Sequence, residues 1–309
     1  MNIVFFGTPE FAQSFLSALH ADSGISVSAI ITQPDKPVGR KKVMTAPVTK
    51  AFGLGNDIPV YQPETKRDLA NLFANELKDI SAEAFVVVAY GKIIPQAVLD
   101  IPPLGTVNVH PSKLPQYRGP SPLQATIANQ DSETAVSIML IDAEMDHGPI
   151  LKQIPIQLAK DETVTSLQAK VVGLGAPALI ESLKGLADGS ITQQEQDHAA
   201  ATYCKMLSRE DARVDWNETA AQIEAKLRAY HPWPGLWTTW NDKRVKFSQG
   251  RVTEGMMDAG ATRAVEGEIF IGTGGSVFAV KEIQVEGSSK QSVEEALKGQ
   301  PELGMTTFK

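Results

Sequence analysis

Short apolar runs along this chain alternate with stretches in which apolar residues recur every three or four positions. Ile3 to Phe6 is the first run, and it ends at Gly7-Thr8-Pro9. From Glu10 onward Phe11, Phe15, Leu16 and Leu19 fall on one helical face, and Pro9 suits the opening turn of that helix. Ser26 to Ile31 reads as a second strand. Residues 33–47 read as a loop rich in Pro, Gly and Lys, with Pro47 opening a short helix. Lys66 to Ile80 predicts a helix with Leu69, Leu72, Phe73 and Leu77 inward. Phe85 to Ala89 is an unbroken apolar run, the pattern of a strand covered on both faces. Gly105 to His110, Ala135 to Ile141 and Gly148 to Ile156 read as further strands. A helix near Pro122 to Ala128 and a long one over Thr163 to Ala187 complete the series. Strands alternating with helices predict an α/β fold with a doubly wound, mostly parallel, Rossmann-like sheet.

Residues 190–208 are polar and weakly patterned and read as a linker. Beyond them one helix, Thr219 to Tyr230, precedes short β-like segments separated by Gly, Asp and Asn. These predict a smaller β-barrel, OB-like domain. The expected organisation is therefore a domain over 1–189, a linker over 190–208 and a barrel over 209–309.

Composition adds boundaries. The chain has 309 residues, 42% of them hydrophobic and 21% charged, ordinary for a globular protein large enough to need no disulfide or structural metal. Its single cysteine, Cys204, permits no internal disulfide, so a reducing, cytoplasmic setting is expected. No apolar run reaches the roughly 18 residues of a membrane span, and Met1 to Gly7 reads as a strand, not a signal peptide. Without heptads, a monomer is expected. The formal net charge of −7 argues against non-specific nucleic-acid binding while leaving room for a local basic patch.

The candidate chemistry lies at the end of the Gly105 run. Asn108 and His110 stand two residues apart, hence on one face of a strand, and Pro111 and Pro115 impose a rigid turn after them. An amide donor beside an imidazole suits acyl chemistry, where one group holds a developing oxyanion and the other polarises it or moves a proton. Both side chains could equally serve only to tie down loops. Asp142 to Pro149 is an acidic, turn-rich segment between two strands. Asp146, just before His147-Gly148, is the carboxylate expected to reach His110, with Asp142 and Glu144 read as solvated or structural. His147 beside Asp146 resembles no zinc or calcium spacing, so no metal is expected. Gly7-Thr8-Pro9 lacks the later glycines of a dinucleotide fingerprint and reads as a plain strand-to-helix turn, and no P-loop is present.

Arg40, Lys41 and Lys42 form a short basic run after the second strand, on the carboxyl-end side of the sheet. A solvated loop is the plain reading, and an anionic substrate the functional one. In the second domain, alternation puts Arg244 and Lys246 on one face, either tracking phosphates or guarding a sheet edge. Tyr230 to Trp237 could stack on bases but reads better as a packed turn.

These residues match a known pattern. Asn108-x-His110-Pro-Ser-x-Leu-Pro-x-x-Arg-Gly followed by an Asp146-x-Gly turn resembles the folate-dependent formyltransferases. Phe6 to Phe11, Gln33 to Pro37, the Arg40-Lys41-Lys42 loop and His231 to Gly235 extend the likeness over both domains, toward the members that act on charged initiator tRNA. The resemblance implies 10-formyltetrahydrofolate as formyl donor and the α-amino group of initiator methionyl-tRNA as acceptor. It implies Asn108, His110 and Asp146 as the catalytic trio. It also implies Ser112, Lys113, Leu114 and Pro115 against the folate, with the Lys113 side chain pointing away. The basic loop and the Arg244/Lys246 face are implied in tRNA binding; Lys41 or Lys42 can take the key contact in place of Arg40. Two rivals are a formyltransferase acting on a sugar-nucleotide amine and a non-catalytic RNA- or folate-binding module.

Overall fold

The computed structural model describes residues 1–39 and 41–309; Arg40 lies outside the described residues. Backbone contacts gather the chain into two units. The first comprises residues 1–119, 133–157 and 168–203, and the second 120–132, 158–167 and 204–309.

The first unit is built on a seven-stranded sheet. Its elements in chain order are β1 (Asn2–Gly7), α1 (Glu10–Ala21), β2 (Ser26–Ile31), β3 (Lys36–Val38), β4 (Val43–Thr45), α2 (Val48–Gly55), β5 (Val60–Tyr61), α3 (Lys66–Asn75), β6 (Ala84–Val88), α4 (Gln96–Leu99) and β7 (Thr106–His110). After α5 (Pro122–Ala128), a helix of the second unit, come β8 (Glu133–Leu140), β9 (Ile150–Gln157) and the long helix α6 (Val164–Asp188), which belongs to this unit from Gln168 onward. The strand order is β5-β2-β1-β6-β7-β8-β9. From β5 to β7 all neighbours run parallel, as the strand–helix alternation predicts. The β7–β8 and β8–β9 pairs are antiparallel. The direct loop 141–149 explains the latter, because a return strand without a crossover helix can only pair antiparallel.

One apolar cluster of this unit's core forms where α3 meets β1 and β6. Phe6 and Phe73 stack at 6.1 Å, and Phe85 lies 5.2 Å from Phe73. The α3 helix ends at Asn75, not at Ile80 as the pattern predicts. The amides of Glu76 and Leu77 both bond the Leu72 carbonyl, which closes the helix while Leu77 stays buried. Apolar spacing marks which residues face the core and is blind to this terminal turn. The segment expected as a plain loop contains the β3–β4 hairpin. Asp35 anchors its base, accepting from Lys50 at 2.9 Å and from Gln62 at 2.8 Å.

The second unit adds α7 (Ala220–Tyr230), β10 (Trp237–Trp240), β11 (Lys243–Thr253), β12 (Thr262–Val265), β13 (Glu268–Gly272), β14 (Val277–Val285), β15 (Gln291–Ser292) and α8 (Val293–Gly299). Its antiparallel sheet runs β10-β11-β14-β13-β12, with β15 joined to β14. The last residues close it. Thr239 and Lys309 exchange both backbone hydrogen bonds at 3.2 and 3.1 Å, while Thr262 donates to Thr306 and Phe308 to Gly260. Residues 306–309 thus tie the β10 edge to the β12 edge, and the edge-strand hazard disappears. Trp216, Phe247 and Phe308 fill the interior, with ring centroids about 6 Å apart. Thr219 and Gln222 form a capping box at the start of α7. No helix among the described residues is long and apolar enough to cross a membrane.

Candidate active site

Strand β7 carries Asn108 and His110 to the carboxyl end of the sheet, the end at which open α/β sheets bind ligands. The pleat sets their common face, and both reach one carboxylate. Asn108 Nδ2 and His110 Nδ1 each stand 3.5 Å from Asp146 Oδ1. Of the acidic turn, Asp146 is therefore the residue that meets the pair. Asp142 instead holds His147, Oδ2 to Nδ1 at 2.6 Å, and caps the Glu144 amide.

Two further groups fix this arrangement. Asp146 Oδ2 accepts the Gly119 amide at 2.7 Å. The other ring nitrogen of His110 lies 2.9 Å from the carbonyl oxygen of Tyr117. A carbonyl only accepts, so Nε2 carries hydrogen and donates there. Nδ1 is left as the nitrogen facing Asn108 and Asp146. Contacts of 3.5 Å are longer than ordinary hydrogen bonds, and a reacting oxygen or amine entering between these groups displaces little. His110 is 4% exposed, so its ring is shielded from bulk water.

The backbone here is unusual. Asp146 and Tyr117 adopt left-handed conformations with φ of 51° and 56°, each costing on the order of 1–3 kcal/mol for a residue with a β-carbon. Those two residues supply the carboxylate and the carbonyl that touch His110. Gly119, at φ 114°, takes a conformation open only to glycine and points its amide at Asp146.

The Ser112 to Pro115 turn is mixed in character. Ser112 is buried and its hydroxyl donates to the Gln116 carbonyl. Lys113 points to the surface and pairs with Glu133. Leu114 and Pro115 border a polar cleft of about 520 Å³, shared with Ile150, Gln153, Gln194 and Gln196. Of the basic run, Arg40 falls outside the described residues, Lys41 is exposed, and Lys42 sits at the β3–β4 turn with φ 48°. Arg244 and Lys246 share the outward face of β11, opposite buried Val245 and Phe247. Arg244 lies over Trp237, its Cζ 4.0 Å from the ring centroid, with Glu210 3.6 Å away. Much of its charge is thus already engaged.

Sequence reasoning passed over Tyr117, Gly119 and Gln196. Gly119 closes the quoted motif, and a glycine after Tyr-Arg is a fair sign of a special backbone position. Tyr117 contributes only its carbonyl, which residue type does not advertise. Gln196 sits in a polar stretch with no pattern. Among the described residues no group of three or more His, Cys, Asp or Glu could hold a metal ion.

The fold brings Asn108, His110 and Asp146 together at the sheet's carboxyl end, and the chain belongs to the formyl transferase family. Residues 1–183 match that family's formyl transferase domain and residues 206–301 its C-terminal domain. The chain is 48% identical over 252 residues to a methionyl-tRNA formyltransferase of Roseiflexus castenholzii, covering 82% of this chain and 80% of that protein. It is 42% identical over 255 residues to a methionyl-tRNA formyltransferase of Pseudomonas putida, covering 82% and 81%. Among solved structures, an N-formyltransferase from Helicobacter canadensis in complex with folinic acid and dTDP-3-aminofucose shares the fold. Its TM-score is 0.66 at 17% identity, over 90% of this chain and 97% of that one.

Proposed function

We propose that this enzyme transfers the formyl group of 10-formyltetrahydrofolate to the α-amino group of methionine on initiator methionyl-tRNA, in the cytoplasm where translation begins. The observation that carries the chemistry is the meeting of Asn108, His110 and Asp146 around one oxygen. The acceptor is supported by the relatives, which are named for methionyl-tRNA and align over four-fifths of the chain.

The residues present fit a folate-type donor. Leu114 and Pro115 offer an apolar wall on a cleft large enough for a small ligand. Ser112 and Lys113, with side chains engaged elsewhere, would contribute through backbone. When bound, the donor supplies the activated formyl carbon. Asn108 Nδ2 is the N–H aimed where negative charge develops on the formyl oxygen. His110, with Nε2 held by Tyr117, presents Nδ1 to move a proton toward the departing nitrogen. Asp146 orients that ring, accepts the proton lost by the attacking amine, directly or through water, and passes it to Nδ1, so the proton that leaves the amine is the one that reaches the departing nitrogen. Lys41 and Lys42 at the hairpin turn, their sequence neighbour Arg40, and Lys246 with Arg244 on the barrel are the cations proposed to track tRNA phosphates.

The test is formylation of charged initiator tRNA with 10-formyltetrahydrofolate, run beside elongator methionyl-tRNA and an amino-sugar nucleotide. Selective turnover of the initiator is expected. Preference for the sugar amine would overturn the tRNA assignment, and binding without transfer would overturn the enzymatic one.

A further inference from the structure

Gln196 lies in the polar stretch after α6, yet it is only 6% exposed and every hydrogen-bonding position of its carboxamide is used. Nε2 donates to the carbonyl of Asp146 at 2.9 Å and to that of Gly148 at 2.8 Å. Oε1 accepts from Arg118, from Nη2 at 2.8 Å and Nε at 3.2 Å. An amide offers two donors and two lone pairs, so the group is saturated. Its partners are the two structures that frame the Asp146 carboxylate. One side grips the backbone of Asp146 itself, where φ is 51°. The other holds buried Arg118, whose chain neighbour Gly119 supplies the amide bonded to Asp146 Oδ2 at 2.7 Å. Arg118 is steadied in turn by His198 Nδ1, 2.9 Å from Nη2, and the His198 ring stacks on His147 at 3.8 Å.

We propose that Gln196 is a positioning residue for formyl transfer. It locks the left-handed backbone at Asp146 and, through Arg118, the Gly119 amide. Asp146 Oδ1 thereby stays facing Asn108 and His110. The inference rests on the role assigned above to Asp146. The physical reason is economy of contact: Asp146's strained conformation persists only where its surroundings over-determine it, and Gln196 Nε2 is the side-chain donor that meets its carbonyl.

The decisive variant is Gln196→Glu, which keeps size and shape. Its carboxylate still accepts from Arg118 but turns a second oxygen toward two carbonyl oxygens, where a donor is required. Misplacement by about 1 Å of a group in the chemistry can cost ~10²-fold. Gln196→Glu and Gln196→Leu are therefore expected to lower kcat by about 10–100-fold with KM for both substrates within about twofold. A readout independent of activity is hydrogen exchange at the Gly119 amide, expected to speed up by about tenfold or more while β7 amides keep their protection. Should one variant fail to fold, the other carries both measurements. Asp146→Ala is run alongside. If it turns over like the wild type, the role of Asp146 is what fails. If it is slow while both Gln196 variants retain wild-type kcat and Gly119 protection, the positioning role is overturned. Raised KM with unchanged kcat also overturns it, since Gln196 then serves only as a wall of the cleft.

Discussion

Gly148 passes so close to Leu140 that a β-carbon on it would stand 2.2 Å from the Leu140 carbonyl oxygen. Leu140 also donates its amide to the Pro149 carbonyl at 3.0 Å, so the loop carrying Asp146 is cinched at its neck. Gly148→Ala forces that neck open. The expected result is a loss of about 1–3 kcal/mol in stability, the usual cost of inserting a methyl where none fits. Turnover falls as well, because Asp146 is two residues away. Urea unfolding and initial rates on the same preparation check both.

Asn108→Ala removes the donor proposed for the formyl oxygen, and His110→Ala removes the proposed proton carrier. Each is expected to lower kcat by about 10²–10³-fold at saturating substrates, the typical effect of losing an oxyanion donor or a general acid–base group. Near-normal turnover in both would remove the basis for the proposed chemistry. Asn108 is only partly buried, so its loss should cost little stability, and thermal melts separate the two effects.

Lys41 and Lys42 project from the β3–β4 turn, both exposed. Lys42→Ala and Lys41→Ala are expected to raise KM for tRNA, leave kcat nearly unchanged, and flatten the salt dependence of binding by about one logarithmic slope unit per lost contact. A salt series of tRNA titrations decides. An unaltered slope marks the run as solvated charge.

Two groups predict opposite limbs of the pH–stability curve. Lys205, then the Ser208 hydroxyl and amide, hydrogen-bond the Asp211 carboxylate and hold its pKa at about 2. The folded value lies below the unfolded one, so this contribution is present above about pH 4 and is lost as pH falls toward 2. Burial of the Tyr90 phenol pushes its pKa up to about 12. Here the folded value lies above the unfolded one, so the contribution holds below about pH 10 and is lost as pH rises through 12. Denaturant midpoints should therefore lose part of their acid slope in Asp211→Asn and part of their alkaline slope in Tyr90→Phe.

By itself, the order of residues determined the class of fold and named the candidate trio Asn108, His110 and Asp146. Alternating apolar runs and helical spacings sufficed for the parallel portion of the sheet, because burial writes its period directly into the chain. The two-residue spacing placed Asn108 and His110 together for the same reason. The rest was decided only by tertiary structure. The acidic turn and the family pattern single out Asp146, but its approach to Asn108, 38 residues away, and that of Gln196 to Asp146, 50 away, are set by packing, because no local period relates positions so far apart. The Tyr117 carbonyl and the Gly119 amide act through backbone, whose direction depends on the left-handed turns at 117 and 146 and not on residue type. The closure of the barrel by residues 306–309, and the gathering of α5 with the second unit, likewise depend on which apolar faces meet. Hydrophobic burial is non-directional: a sequence records that a face must be covered, and only the packed molecule selects its cover.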